Sequence, residues 1–366
     1  MKKDYSLLIY VIILTIFGII MVYSSSNIWA NYKFNNPYKY MINQSIFFII
    51  SLILTYFITK IKPSTLKRQS NLYIFISIIL LILVLIFGKT RNGSTSWFII
   101  GPFSFQPSEL SKISLLIYIS KYLEKNKINI KNIIILLSFV SIILLLIMLE
   151  PDFGTVMIIV LSIISLIFIS GLNIKFFIYS FIVLLVLISV LIIIAPYRLK
   201  RITAFIDPFS DPLGSGFQII QSLYAIGPGG LLGEGFLHGR QKNFYLPEPQ
   251  TDFIFSIISE EFGFLGILIV SILYLLIFYK GIKTSLQSSN LFNKYLSFGL
   301  TSLITLQAIL NISVVIGLIP VTGVTLPFIS YGGSSLITNM ISIAIILSIR
   351  NNKEKDTWSF SLLIHL

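Results

Sequence analysis

The chain has 366 residues, 55% of them hydrophobic and only 11% charged, with a mean hydropathy of +0.92. A soluble globule of this length carries about a quarter charged residues, so the main solvent here is lipid. Lys and Arg number 27 against 14 Asp and Glu, a formal net charge of +13. No domain-sized basic surface stands outside the apolar runs, which excludes nucleic acid as a partner. Cysteine is absent, and the two histidines, His238 and His365, lie too far apart in the chain for a metal cage. Disulfides, thiolate nucleophiles and cysteine-ligated zinc are therefore excluded.

A bilayer crossing takes roughly 20 apolar residues. Runs of that kind fall at 5–24, 43–61, 71–88, 106–122, 132–149, 153–171, 174–195, 253–279, 295–318 and 327–349. They predict an all-α polytopic membrane protein with about ten transmembrane helices. The first run follows Met-Lys-Lys but reads as a true span, not a signal peptide, because a whole series of similar runs comes after it. Lys60, Lys62, Lys67, Arg68, Lys121, Lys125, Lys280, Lys283 and Arg350 all fall on the side that also holds Lys2 and Lys3. The positive-inside rule then puts both termini in the cytoplasm. Residues 1–349 read as one polytopic domain and 350–366 as a cytoplasmic tail. One long extracellular loop, 196–252, precedes the eighth span. Its glycines, prolines and aromatics predict short helices and turns folded back on the membrane face.

Charge at the centre of a bilayer costs about 2.5–3.5 kcal/mol on insertion scales, so polar residues in or beside spans mark functional candidates. The first place is QPSELSK, 106–112. Glu109 and Lys112 are three apart and share a helix face. They form either an internal salt bridge in a well-capped span or a polar cavity wall that touches substrate; spacing leaves both readings open. The second is LPEPQTDFIFSIISEEFGFLGILIV, 246–270. Thr251 and Asp252 stand where a helix cap would, and Asp252 falls at the outer water–lipid border. Partial burial there raises a carboxylate toward a useful base. Glu260 lies roughly 12 Å deeper and about 80° round the helix from Asp252, with Glu261 nearly opposite. The two glutamates therefore read as structural, serving neighbouring helices or a kink at Gly263 and Gly266. The third place is IGLIPVTGVTLPFISYGGSS, 316–335, whose prolines and glycines predict a re-entrant segment between the last two spans. Gly227, Gly229, Gly230, Gly233 and Gly235 match no phosphate-cradle spacing and read as flexibility.

Several long stretches occur in order: RNGSTSWFIIGPFSFQPSELSK (91–112), EPDFGT (150–155), QSLYAIGPGG (221–230), FYLPEPQTDFIFSIISEEFGFLG (244–266) and PVTGVTLPFISYGGSS (320–335). Together they resemble the SEDS family (shape, elongation, division and sporulation) over essentially the whole chain. FYLPEPQTDF and AIGPGG are most similar to its FtsW and stage V sporulation protein E branch. The resemblance implies a peptidoglycan glycosyltransferase that polymerises lipid II on the outer face of the bacterial cytoplasmic membrane. It also implies a class B penicillin-binding protein as partner, with membrane lipids around both. The family's essential aspartate falls on Asp252, and its span-four Glu and Lys on Glu109 and Lys112. Gln250 stands where many members have His, and Thr95 and Ser96 where many have a basic residue.

The chemistry so implied joins a sugar hydroxyl to an anomeric carbon with a pyrophosphate as leaving group. One carboxylate to take the hydroxyl proton suffices, unlike the carboxyl pairs of glycosidases. Positive partners for the pyrophosphate are available in Arg198, Arg201, Arg240, Lys242 and Lys112. No cofactor is assigned, and a divalent cation (Mg or Mn) could share that work. The rival readings are a lipid II flippase or transporter and a non-catalytic scaffold for the cross-linking enzyme.

Overall fold

Long apolar stretches bounded by prolines, asparagines and glycines fold here as helices. The computed structural model describes residues 5–91, 94–100, 103–179, 182 and 203–364, with backbone alone for 91, 100, 103 and 353–364. In chain order the helices are α1 (Ser6–Phe34), α2 (Lys39–Ile58), α3 (Pro63–Phe87), α4 (Pro107–Lys125), α5 (Ile130–Leu149) and α6 (Phe153–Ile169). They continue with α7 (Phe217–Ile226), α8 (Ile254–Leu286), α9 (Leu291–Val315) and α10 (Gly333–Ile364). Local chemistry sets their ends. Pro63 and Pro107 open α3 and α4 at the first turn, where a missing N–H costs nothing. Asn129 and Asn290 cap α5 and α9 by accepting the N–H groups of Asn132 and Phe292. Asn35, at φ 51°, stops α1 in the left-handed conformation that asparagine tolerates.

Among the described residues seven helices are long and apolar enough to cross a bilayer: α1, α2, α3, α5, α8, α9 and Gly333–Asn352 of α10. Helix α6 is apolar but has 17 residues. Helix α4 is diluted by Glu109, Lys112, Lys121, Glu124 and Lys125. The predicted span 174–195 lies mostly outside the described residues, as do Arg198 and Arg201. Helix α10 runs unbroken past Arg350 to Ile364, so the predicted tail begins as a continuation of the last span.

The expectation of an all-α chain needs one correction. Between α3 and α4 the chain forms a three-stranded antiparallel meander of β1 (Lys89–Arg91), β2 (Ser94–Ile100) and β3 (Phe103–Phe105). Trp97 pairs with Lys89, and Ile100 with Phe103. Strand β2, STSWFII, is rich in β-branched and aromatic residues, and Asn92-Gly93 and Gly101-Pro102 separating the strands are turn-forming dipeptides. The Ser94 and Ser96 hydroxyls donate to the Glu150 carbonyl, at 2.5 and 3.2 Å, and tack the sheet onto the α5–α6 turn.

Helices α9 and the first part of α10 form the protein-facing centre, with 72% and 83% of their spanning windows buried; α2, α3, α5 and α8 stay below 30% and leave one face for lipid. Small residues let the central helices close on their neighbours, the usual membrane solution. A Cβ on Gly281 would meet Thr301 at 2.1 Å, and one on Gly299 would meet Leu166 at 2.7 Å.

Two irregular segments enter this bundle. Residues 316–332, between α9 and α10, do not turn back at once. Their Ile329 backbone lies against Gly18, where any Cβ would come within 2.6 Å of Ile329 Cα. Gly18 is twelve residues into α1, roughly 18 Å from its start. The Tyr274 hydroxyl of α8 donates to the Pro327 carbonyl, and Gln44 Nε2 of α2 donates to the Ser330 carbonyl at 2.9 Å. Side chains thus satisfy backbone groups that hydrocarbon would leave unpaired.

The second irregularity is in α8, which breaks at Gly263 (φ 60°, ψ −155°). Four backbone groups released there are taken up by the glycine-rich part of the long loop. The N–H groups of Phe264 and Leu265 donate to the carbonyls of Gly230 and Leu231, while the carbonyls of Glu260 and Glu261 accept from Glu234 and Gly235. A Cβ on Gly233 or Gly263 would strike this ladder at 2.3 or 2.5 Å. Of the glycines that read as flexibility in the sequence, Gly229 and Gly233 are packing residues, whereas Gly227 has open space around it. Before the break, Ile254–Glu261 are buried on every side; after it, Phe264, Leu268, Ile272 and Leu275 form an exposed stripe that lipid can cover.

Candidate active site

The polar residues picked out by the sequence gather at one end of the bundle, opposite the Lys- and Arg-rich turns. Helices α4, α6 and α8 start at this end, and α3, α5 and α9 finish there. Asp252 sits in the turn that leads into α8 and is partly exposed. The α8 N-cap is Phe253, one residue beyond Asp252, and its own side chain makes no cap. Its Oδ2 faces Gly323 of the 316–332 segment, where a Cβ would stand 3.8 Å away. That segment also grips the backbone before it. Tyr331 N–H donates to the Gln250 carbonyl at 2.8 Å, and the Ser330 hydroxyl donates to the Thr251 carbonyl at 2.6 Å.

One turn into α4, Glu109 and Lys112 pair face to face. Lys112 Nζ lies 2.9 Å from Glu109 Oε1 and 2.8 Å from Oε2, with both side chains buried. Thr338 Oγ1 donates to the second carboxylate oxygen at 2.8 Å, and Lys112 donates to Gln307 Oε1 at 3.2 Å. Gln307 Nε2 in turn donates to the Thr325 carbonyl at 3.0 Å. The internal salt bridge is therefore present, and it is wired through α9 to the segment that carries Gly323.

The turn between α5 and α6 supplies two acids that sequence reasoning did not assign. Asp152 caps α6 by accepting Thr155 N–H at 3.0 Å, and its other oxygen accepts from Gln106 Nε2 at 2.9 Å. Glu150 is fully buried under β2. Burial, then the neighbouring charge of Asp152, pushes its carboxyl up to about 8; burial likewise raises Asp152. An Asp followed three residues on by Thr, ahead of an apolar run, is a legible cap signal. Gln307 and Asn311, also unassigned, are four apart in apolar sequence and so share a face.

The basic candidates part ways. Arg240 is 81% exposed, its Nε 3.8 Å from Glu234 Oε2, and it is open to an anion at this end. Lys242 is buried: its Nζ lies 2.6 Å from Glu261 Oε1 and donates to Ser24 Oγ of α1 at 3.1 Å. A cation held this way is closed off from solvent, and Lys112, buried against Glu109, is held likewise. Glu260 accepts the backbone N–H groups of Arg240 and Gln241, at 2.6 and 3.1 Å. The two deep glutamates thus anchor the long loop.

The family model described as a cell cycle protein (FtsW, RodA, SpoVE) matches residues 5–355. Stage V sporulation protein E of Bacillus subtilis strain 168 is 44% identical over 354 residues, covering 95% of this chain and 97% of its own. A probable peptidoglycan glycosyltransferase FtsW of Wigglesworthia glossinidia brevipalpis is 40% identical, covering 94% and 92%. Among solved structures, a chain of a peptidoglycan synthase complex, described as coordinating polymerization and crosslinking, superposes with a TM-score of 0.78. It is 27% identical and the match covers 96% of this chain and 98% of that one. The rod shape determining protein RodA of Thermus thermophilus gives 0.72 at 25% identity, covering 96% and 98%. This chain therefore belongs to the FtsW, RodA and SpoVE family of multi-pass membrane proteins.

Proposed function

We propose that the chain is a peptidoglycan glycosyltransferase that polymerises lipid II at the outer face of the bacterial cytoplasmic membrane. Both termini would be cytoplasmic, about ten spans would cross, and residues 196–252 would form the extracellular loop. The observation that carries the reading is Asp252: a partly exposed carboxylate at the end opposite the basic turns, with its backbone gripped by a segment sunk into the bundle.

In this reading the 4-hydroxyl of one lipid II attacks the anomeric carbon of the muramyl sugar of another. The new glycosidic C–O bond forms as the bond to the pyrophosphate breaks, with inversion. Asp252 takes the hydroxyl proton, and undecaprenyl pyrophosphate leaves with the electron pair. That leaving group is stable, so no protonating acid is needed. Holding two bulky lipids in register contributes more to the rate than the proton transfer does. Arg240 offers positive charge to the pyrophosphate, and Arg198 and Arg201 are the further cations assigned to it. Glu109 and Lys112 act from beneath by fixing Gln307 and the 316–332 segment. Among the described residues no three acids or histidines converge, so a divalent cation would be held chiefly by the pyrophosphate itself, with one or two carboxylates from the chain.

An apolar groove of about 330 Å³ opens between α1 and the second half of α8, lined by Ile13, Phe17, Phe262, Leu265, Ile269 and Leu273, with Leu232 of the loop above them. It suits the lipid tails. Transporters aim the ends of broken helices at their cargo, but the break at Gly263 is filled by the chain's own loop, which supports the polymerase over the flippase. The discriminating assay supplies lipid II to the full chain co-purified with its class B penicillin-binding protein. Glycan strands support the proposal. Lipid scrambling in liposomes without glycan would replace it with transport, and partner binding with neither activity would leave a scaffold.

A further inference from the structure

Three consecutive backbone carbonyls lead up to and include the aspartate, and each has a donor from another element. Gln250 and Thr251 are served by Tyr331 N–H and Ser330 Oγ of the 316–332 segment. The carbonyl of Asp252 itself accepts from Asn311 Nδ2 of α9 at 2.7 Å, and the same nitrogen donates to the Val324 carbonyl, also at 2.7 Å. Asn311 is 1% exposed. Its amide has one workable orientation, because turning it over would set an oxygen against two carbonyl oxygens.

One primary amide nitrogen thus ties the residue carrying the carboxylate to the residue next to Gly323, the glycine that faces that carboxylate. Among the side chains, only Asn or Gln offers two neutral donors on one nitrogen. Four residues earlier on the same helix face, Gln307 repeats the device on the Thr325 carbonyl and receives Lys112. Helix α9 is largely enclosed by protein, so it serves as the post to which both sides of the candidate site are fastened.

We infer that Asn311 is a positioning residue for the polymerisation step, holding Asp252 and the Val324 backbone at a fixed separation so that the carboxylate meets the incoming hydroxyl. The inference rests on Asp252 being the base. A misplacement of about 1 Å at a reacting group can cost on the order of 100-fold in rate. Asn311 touches no substrate in this scheme, so its loss acts on kcat and spares KM.

The test uses the full chain, co-purified with its penicillin-binding protein, and steady-state polymerisation of lipid II. Asn311→Leu keeps the volume and removes both donors. The expected result is a kcat lower by about 10- to 100-fold with KM within about twofold of wild type. Asn311→Ser, which can reach one carbonyl at most, is expected to fall between the two. It becomes the deciding variant if Asn311→Leu fails to fold, as read by its melting temperature and partner retention. A folded variant with wild-type kcat, or with its whole loss in KM, overturns the inference. Asp252→Asn run in parallel separates the two ideas. If it is inactive while Asn311 variants keep wild-type kcat, only the role of Asn311 falls; if it is active, the base assignment falls and takes this inference with it.

Discussion

Lys242 of the long loop and Glu261 of α8 form an ion pair of 2.6 Å, closed off from solvent and joined by Ser24 of α1. The pair sits where α8 breaks, so three elements are clamped at one point. Removing one member of such a pair leaves a buried charge uncompensated, at a cost of about 3–5 kcal/mol, whereas replacing both with apolar groups is often neutral. Lys242→Met and Glu261→Gln are each expected to lower the melting temperature in detergent, and Lys242→Met with Glu261→Leu to recover most of the loss. Additive losses in the double variant would contradict the clamp.

Gly263 holds a φ of 60° and ψ of −155°, a region that side chains other than glycine enter at a cost of about 1–3 kcal/mol. Its Cα also faces Gly233 N–H with no room for a Cβ. Gly263→Ala is expected to unseat the 229–235 loop, so limited proteolysis should cut that loop faster than in wild type. Unchanged cutting would mean the ladder tolerates the change.

Glu150 carries the clearest pH signature outside the spans. Its folded-state pKa of about 8 lies above the ordinary carboxylate value. The unfolded chain therefore releases this proton first as pH rises, and the contribution to stability is full below about pH 4.5 and lost on the way to pH 8. Glu150→Gln mimics the neutral form and is expected to gain melting temperature over wild type at pH 8 but not at pH 4.5. A constant difference across that range would argue against a buried, neutral Glu150.

Arg240, exposed beside Glu234, is expected to act on binding. Arg240→Ala should raise KM for lipid II by several-fold at low salt and leave kcat near wild type, because an exposed cation contributes uniform binding that salt screens. A kcat loss with KM unchanged would place it in the transition state instead.

Much of this organisation can be read from the residues alone. Span-length apolar runs, prolines at the starts of α3 and α4 and asparagine caps mark helices with little ambiguity, and acids at the head of α8 mark the functional end. Other features are hidden for physical reasons. Strand β2 lies between two spans and its apolar residues look like membrane sequence, so the meander is masked by its surroundings. Lys242 is a cation in a loop, and nothing local says that it meets Glu261 nineteen residues away. The glycines at 229–235 announce unusual backbone, but only the break at Gly263 shows that Gly229 and Gly233 are there for close packing. Gln307 and Asn311 are visible as polar residues on one face of an apolar helix; their partners are carbonyls, which no side-chain pattern reveals.

The central claim is that Asp252 takes the proton of the attacking sugar hydroxyl. The most direct measurement is single-turnover polymerisation of lipid II by wild type and by Asp252→Asn, each as full chain with its partner and each shown to be folded. The account expects lipid II to be bound equally by both and glycan to form only with the wild-type carboxylate. Glycan made by Asp252→Asn at the wild-type rate would contradict it.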